Sequence, residues 1–315
     1  MDLIKQIFDS GVVGCGGAGF PTHVKLKASP EILIINGAEC EPLLRTDRYL
    51  MIHEAEKLVS GVDLICRELS IPEGRIALKK TYTKEIEALT AAIEKLHSKV
   101  QLHLMDSFYP AGDEQVVVYE VTGKVVPPAG IPLDVGAIVD NVATIIAVAD
   151  AVSGIPFTEK YLTVTGEVRE PSVLKVPVGT SFAQCIEMAG GTTSDKVMVV
   201  SGGPMMGFAM FGLDVPTTKT SSSLLCMSQD EVAAAEKLQT ACINCGRCVE
   251  ACPEQLIPSR LAKFSDKGLS EEFEKWHGLE CVECGSCSFA CPAKRQLAQS
   301  IKTMKKQVLA AKRKK

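Results

Sequence analysis

The chain has 315 residues, of which 46% are hydrophobic and 23% charged, and its formal net charge is −4. This acidic balance, with only 5% aromatic residues, excludes a nucleic-acid-binding protein, because it supplies neither a phosphate-neutralising field nor stacking surfaces for bases. The length suits two or three domains, and the longest apolar run, residues 142–152, contains Asp150 and is too short to cross a bilayer.

A glycine-rich segment follows the first predicted element. Hydrophobic residues at helical spacing predict an amphipathic helix over residues 2–10, whose charges argue against a signal peptide. Residues 11–22 then contain the pattern G-x-G-x-x-G, but the segment follows a helix where a Rossmann site requires a strand, and Pro21 interrupts the expected helix start. We therefore predict a loop whose bare amides bind a phosphate, with Lys25 adding positive charge.

Strands and helices alternate over the next part of the chain. Apolar runs predict strands at residues 32–35, 75–79 and 100–105, and amphipathic spacing predicts helices at residues 47–69 and 84–97. This alternation indicates an α/β fold with a parallel sheet.

Three polar segments lie next to predicted elements. Residues 36–42 follow the first strand, residues 109–115 follow the third strand, and residues 139–144 precede an apolar helix. Ligands bind outside the carboxyl ends of the strands in open α/β sheets, so the three segments converge on one crevice if the sheet is doubly wound. Asp113 and Glu114 have helix capping as an alternative role, since acids are favoured in a first helical turn.

From residue 160 the pattern changes to short strands, with a helix near residues 182–188 and a strand at 197–200, which resembles a small β-grasp module. We interpret residues 201–206 as a tight turn and residues 221–223 as part of a linker. A helix over residues 229–238 leads into the cysteine-rich part of the chain.

Eight of the thirteen cysteines form two runs, residues 242–253 and 281–292, both spaced C-x₂-C-x₂-C-x₃-C-P. This is the spacing of bacterial two-cluster ferredoxins, in which the fourth cysteine of each run ligates the other cluster. Structural zinc sites commonly show paired C-x₂-C motifs, and disulfides need an oxidising compartment that nothing in the chain signals. We therefore predict two [4Fe–4S] clusters, one held by Cys242, Cys245, Cys248 and Cys291 and the other by Cys281, Cys284, Cys287 and Cys252.

The other cysteines are scattered singly and are expected to be small buried side chains, although two of them, Cys15 and Cys40, lie in motifs that could approach a cofactor. The tail, residues 302–315, is strongly basic. We interpret it as a solvated helix end, and contact with acidic lipid headgroups or an acidic redox partner is the alternative.

Taken together, the glycine loop, the polar segments, the β-grasp pattern and the cysteine runs resemble the RnfC family, the NADH-facing subunit of ion-translocating ferredoxin:NAD⁺ oxidoreductase. They are also similar to the cobalamin reductase of propanediol utilisation and, more distantly, to the 51 kDa flavin subunit of respiratory complex I. The resemblance implies an FMN-binding α/β domain at 1–157, an SLBB-type β-grasp domain with a linker at 158–226, and a helical two-cluster domain with a basic tail at 227–315.

The same resemblance implies which residues surround the flavin and the nucleotide. The glycine loop and Lys25 bind the FMN phosphate, and Phe20 stacks on NADH, whereas Ala38 stands where the complex I relatives carry an acid and the second stacking aromatic is replaced near Ala28. The cofactor-binding residues implied in this way are Gly14, Gly16, Gly17, Gly19, Phe20, Lys25, Asn36, Glu39, Tyr109, Gly112, Asp113, Glu114, Asp140, Asn141 and Thr144.

The function implied by the resemblance is electron transfer between NAD(H) and a ferredoxin or other redox protein through FMN and two [4Fe–4S] clusters. We expect an NADH-linked oxidoreductase subunit, with integral membrane subunits as further partners, located in the cytoplasm or peripherally on the inner face of the cell membrane. A soluble NADH-dependent cobalamin reductase or other dedicated reductase, and a non-catalytic electron-wiring module, are alternatives. Family members carry a barrel-like domain before the glycine loop, so we expect a minimal homologue or a fragment.

Overall fold

The computed structural model describes residues 2–17, 19–229 and 231–313. The chain forms two compact units, Met1–Ser228 and Gln229–Lys315. The first unit contains two β-sheets, one parallel and one mixed, and the second unit is helical. No helix in the described part of the chain is both long and apolar enough to span a membrane.

The parallel sheet has four strands, β1 (Ile32–Asn36), β2 (Glu73–Lys79), β3 (Gln101–Met105) and β4 (Ala137–Asn141), in the order β3-β2-β1-β4. The chain proceeds outwards from β1 to β3 and then returns to place β4 on the other side of β1. The strand order therefore reverses between β1 and β4, and such a reversal opens a ligand crevice at the carboxyl ends of the strands.

Helices cover both faces of this sheet. Leu33 and Ile35 belong to one buried apolar cluster, and Ile32 and Ile34 to another on the opposite face. The helices are α1 (Leu3–Asp9), α2 (Thr22–Lys25), α3 (Thr46–His53), α4 (Ala55–Glu68), α5 (Thr83–Leu96), α6 (Glu114–Thr122) and α7 (Val142–Val152). The first cluster includes residues of α4 and α7, and the second includes residues of α6, so the sheet is doubly wound.

The prediction of one helix over residues 47–69 is wrong. The segment forms α3 and α4, which are divided at Glu54, where the backbone leaves the helical range with φ −121° and ψ 24°. The Glu54 carboxylate accepts a hydrogen bond from the Tyr161 hydroxyl at 3.3 Å and pairs with Lys57 at 3.2 Å. These contacts hold the break, which the uninterrupted apolar spacing of the sequence did not reveal.

The mixed sheet has five strands, β5 (Glu159–Gly166), β6 (Ser172–Pro177), β7 (Met198–Ser201), β8 (Phe208–Met210) and β9 (Ser223–Met227), in the order β6-β5-β9-β7-β8. Strands β5 and β9 are parallel, and the remaining neighbours are antiparallel. Helix α8 (Phe182–Met188) packs on this sheet through the buried residues Phe182, Cys185 and Ile186.

The interpretation of residues 221–223 as linker is wrong. Ser223 is fully buried and begins β9, which lies between β5 and β7 in the middle of the mixed sheet. The strand was not predicted because it follows a run of serines and threonines and its apolar part is only four residues long, 224–227.

The second unit packs short helices around Phe273, Leu261 and Ile301, all of which are buried. The helices are α9 (Glu231–Glu236), α10 (Arg247–Glu250), α11 (Pro258–Asp266), α12 (Ser270–Lys275), α13 (Ser286–Phe289) and α14 (Leu297–Arg313). Helix α9 is shorter than the predicted helix over 229–238, of which Asp230 lies outside the described residues, as do residues 314 and 315 of the basic tail.

Candidate functional site

The carboxyl ends of β1 and β4 lie side by side, with Asn36 paired in register with Asn141. The Asn36 side-chain amide donates to the Gly112 carbonyl at 2.8 Å, and its carbonyl oxygen accepts from the Ala38 amide at 3.1 Å. The structure therefore brings the segments 36–42, 109–115 and 139–144 to one edge of the sheet.

The glycine loop lies at the same edge, against the first turn of α7. The Cys15 amide donates to the Thr144 hydroxyl at 2.9 Å, and a Cβ at Gly16 would lie 3.4 Å from the Cβ of Asn141. Asn141 also caps α7 by accepting from the Ala143 amide at 2.9 Å. The loop and the strand ends thus form one crevice, at the position where the strand order reverses.

Lys25 connects this crevice to the start of α6. Its ammonium lies 3.1 Å from the Glu114 carboxylate and 3.5 Å from that of Asp140, and it also contacts the Val139 carbonyl. Burial on its own would lower the pKa of Lys25, but the carboxylates of Asp140 and Glu114 outweigh it and raise that pKa. Burial raises the pKa of Asp140 to about 6, and Lys25 opposes this effect.

Glu39 forms a half-buried pair with an acid that sequence reasoning missed, Asp47. The Glu39 carboxylate accepts from the amides of Asp47 at 3.2 Å and Arg48 at 3.4 Å, at the start of α3. Asp47 in turn accepts from the Asn141 side chain at 2.7 Å. Burial, with the Asp47 charge adding to it, raises the pKa of Glu39 to about 8, and burial also raises that of Asp47.

The remaining predicted residues lie around this crevice with different exposures. Asp113 caps α6 by accepting from the amides of Gln115 and Val116 at 2.9 and 3.3 Å, which is the capping role that the sequence left open. Phe20 is 52% exposed, and Tyr109 is half-buried. Among the single cysteines, Cys15 is buried in the loop and Cys40 is half-buried.

The crevice has the chemistry that a phosphate-bearing ligand needs. Among the described residues, none accepts a hydrogen bond from the amides of Gly16 and Gly17. One carboxylate oxygen of Asp140 is buried and likewise has no described partner. Unpaired N–H groups on a glycine loop suit the phosphate, and the Asp140 oxygen can accept a hydrogen bond from a hydroxyl or N–H group of the same ligand, so these residues fit FMN.

The eight cysteines of the two runs surround two separate cavities. One cavity is lined by Cys242, Cys245, Cys248 and Cys291. The other is lined by Cys252, Cys281, Cys284 and Cys287. Each cavity thus combines three cysteines of one run with the last cysteine of the other run, and no disulfide joins any of the cysteines, all of which lie in the described part of the chain.

This donor set fits a cubane and not a single ion. Among the described residues, no three His, Cys, Asp or Glu side chains are grouped closely enough to ligate one metal ion. Thiolates around a [4Fe–4S] cluster each bind a different iron, and therefore lie further apart than the ligands of one zinc. The cavities differ in access, because Cys242 and Cys245 are exposed whereas Cys284 and Cys287 are buried.

Three known domain families match the chain in the expected order. Residues 7–150 match the Nuo51 FMN-binding domain, residues 161–209 the SLBB domain, and residues 241–295 the 4Fe-4S dicluster domain. These matches confirm the predicted fold class and the predicted cofactors, FMN and two [4Fe–4S] clusters.

Curated relatives match over nearly the whole chain. It is 42% identical to the RnfC subunit of the proton-translocating ferredoxin:NAD(+) oxidoreductase complex of Clostridium ljungdahlii, over 98% of this chain and 68% of that protein. The corresponding subunit of the Na(+)-translocating complex of Acetobacterium woodii is 39% identical, over 98% of this chain and 71% of that protein. The cobalamin reductase PduS of Salmonella typhimurium is 40% identical, over 83% of this chain and 60% of that protein.

A solved NAD⁺-reducing [NiFe]-hydrogenase shares the fold, with a TM-score of 0.67 at 21% identity, over 98% of this chain and 60% of the hydrogenase chain. The fold and the two kinds of cofactor domain define an iron–sulfur flavoprotein. Within that class, the chain belongs to the RnfC family of the ferredoxin:NAD(+) oxidoreductase complexes.

Proposed function

We propose that this chain transfers electrons between NAD(H) and a protein redox partner through FMN in the crevice and two [4Fe–4S] clusters in the cysteine cavities. The observation that carries this proposal is the presence, in one chain, of a crevice with free loop amides and two cavities with four cysteines each. The relatives named as ferredoxin:NAD(+) oxidoreductase subunits support the choice of NAD(H) as substrate.

FMN supplies the chemistry that connects a two-electron nicotinamide to one-electron carriers. The chain's own residues would bind and orient it: the amides of Gly16 and Gly17 would take the phosphate, and Lys25, held by Glu114 and Asp140, would add positive charge at the same edge of the sheet. The hydrogen bond from the Asn36 side chain to the Gly112 carbonyl holds residues 109–115 at the carboxyl ends of the strands. No general base or nucleophile is assigned, because electron transfer requires neither.

We assign the redox partner to the exposed cavity. Cys242 and Cys245 are exposed, and Ile243 between them is 63% exposed, so this cavity is the more accessible of the two. Residues 229–315 carry 15 Lys and Arg against 11 Asp and Glu, although the whole chain is acidic. Seven of these Lys and Arg lie in the tail, residues 302–315, which has no Asp or Glu, so an acidic redox protein of the ferredoxin type would be attracted to the tail of this unit.

Further partners follow from the relatives, which are subunits of complexes named as proton- or Na(+)-translocating. We propose that this chain assembles with integral membrane subunits and is therefore peripheral on the inner face of the cell membrane. The match to PduS favours a second candidate, a cobalamin reductase with the same cofactors and a different acceptor.

Anaerobic kinetics with FMN-loaded protein test the proposal. NADH should drive the reduction of a small artificial acceptor, and also of a ferredoxin. The variant Cys245→Ala should retain the first activity and lose most of the second, because it removes a ligand at the exposed cavity. Preferential reduction of cob(III)alamin would favour the second candidate, and failure of NADH to reduce the FMN-loaded chain would exclude both.

A further inference from the structure

The first unit has one part built on the parallel sheet and one built on the mixed sheet, called here the parallel-sheet half and the mixed-sheet half. A lysine of the mixed-sheet half contacts the glycine loop of the parallel-sheet half. Lys219, between β8 and β9, donates from its ammonium to the Gly11 carbonyl at 2.5 Å. The ammonium also lies 5.2 Å from the centre of the Phe157 ring. The Phe157 amide in turn donates to the carbonyl of Ser10 at 2.9 Å, so Phe157 connects Lys219 to the residue that follows α1.

The neighbouring residue contacts the other end of the loop. A Cβ at Gly11 would lie 2.7 Å from the Lys219 ammonium, and one at Gly19 would lie 2.9 Å from the Thr220 methyl group. Both glycines also have φ +66°, which side chains rarely adopt. The positive φ therefore favours glycine at both positions, and the Thr220 methyl adds a steric reason at Gly19, independently of any phosphate.

A second lysine, Lys160 in β5, is buried near the loop. It is only 3% exposed, and its charge opposes the rise in the pKa of the Cys15 thiol that burial causes. The mixed-sheet half thus contacts the loop at its beginning and its end. A loop with several glycines samples many conformations when it is free, so a fixed set of amide directions needs such contacts.

We infer that Lys219 is a positioning residue of the flavin site: it anchors the glycine loop so that the amides of Gly16 and Gly17 stay available to the phosphate. This inference rests on the proposed binding of FMN at the loop. It makes the mixed-sheet half part of the cofactor site, although the sequence placed all the flavin residues in the other half.

Titration of FMN into the flavin-depleted full chain with intact clusters, followed by flavin fluorescence, tests the inference. Lys219→Met should weaken FMN binding about tenfold, the effect expected when one charge-assisted hydrogen bond is lost. Lys219→Arg should restore most of the affinity. The matched control is Lys175→Met, which removes a mixed-sheet lysine paired with Glu159 at 2.8 Å on the surface and should bind FMN like the unmodified chain.

Hydrogen exchange of the same flavin-depleted proteins separates anchoring from general destabilisation. Peptides covering residues 11–17 should exchange faster in Lys219→Met, while those covering the turn at 201–206 should not change. Equal FMN affinity in Lys219→Met and the unmodified chain, or a loss matched by Lys175→Met, would overturn the inference. Absence of FMN binding by the unmodified chain would instead overturn the proposed function.

Discussion

Glu39 and Asp47 show how the crevice changes the chemistry of single residues. Both acids are half-buried, and none of the described basic residues forms an ion pair with the Glu39 carboxylate within 4.0 Å. The neighbouring Arg48 side chain pairs with Glu85 instead. Two carboxylates that share a desolvated site cannot both ionise readily. The pair therefore retains a proton at neutral pH, beside the Asn141 side chain at the crevice.

This retained proton makes stability depend on pH. The pKa of Glu39 rises from 4.5 to about 8 on folding, so between these values the folded chain binds more protons than the unfolded chain. The associated stabilisation is complete below pH 4.5 and is lost as the pH rises through about 8. Glu39→Gln should remove this dependence.

The measurement is the apparent melting temperature of the flavin-depleted chain across that pH range. It should fall less with rising pH in Glu39→Gln than in the unmodified chain. The matched control is Glu87→Gln, which alters an exposed carboxylate of α5 and should keep the original slope. Identical slopes in Glu39→Gln and the unmodified chain would show that Glu39 is ionised in the folded state.

Sequence reasoning reached Glu39 but not Asp47, for a physical reason. Glu39 stands in a polar segment directly after a strand, where a ligand site is expected, whereas Asp47 reads as an ordinary acid in a first helical turn. Its role depends on the 2.7 Å contact with Asn141, which is 94 residues away along the chain. No local pattern encodes that contact.

Among the secondary-structure elements, α10 and α13 repeat one arrangement. Each follows a glycine in the left-handed region, Gly246 with φ 81° and Gly285 with φ 83°, and carries the third cysteine of its run. The fourth cysteine follows the short helix and lines the other cavity. The two runs therefore cannot be assembled independently.

Paired cysteine variants test which thiols share a cluster. Cys291→Ala alone should lower the iron content from about eight to about four atoms per chain. Adding Cys245→Ala should cause little further loss, because both residues line one cavity, whereas adding Cys281→Ala should remove nearly all the iron. The opposite pattern, with the larger loss on adding Cys245→Ala, would assign Cys291 to the cluster of its own run.

The alternation of strands and helices was enough to predict a parallel sheet, because β1 is a buried apolar run and Ile76, Ala77 and Leu78 of β2 are buried, although most of β3 is not. Contacts between the two halves of the first unit were not predictable in this way. Glu41, for example, accepts from the amides of Met205 and Met206 at 3.1 and 2.7 Å, over a sequence separation of 164 and 165 residues. Strand β9 was missed for the same reason, since only its neighbours in the sheet identify it as a strand.

At the scale of the whole molecule, charge is distributed unevenly along the chain. The net negative charge resides in residues 1–228, while residues 229–315 are net positive. Opposite charges attract a partner before contact and mainly increase the rate of association. The positive charge lies in the tail, residues 302–315, with seven Lys and Arg and no Asp or Glu, so the distribution favours an acidic partner at that tail.

The central claim is that one chain holds both a flavin and two cubane clusters. The most direct measurement is the flavin and iron content of the protein purified anaerobically and incubated with FMN. We predict about one FMN and about eight iron atoms per chain. Eight iron atoms without retained flavin would indicate an electron-wiring module, and zinc in place of iron would contradict the assignment of the cysteine cavities.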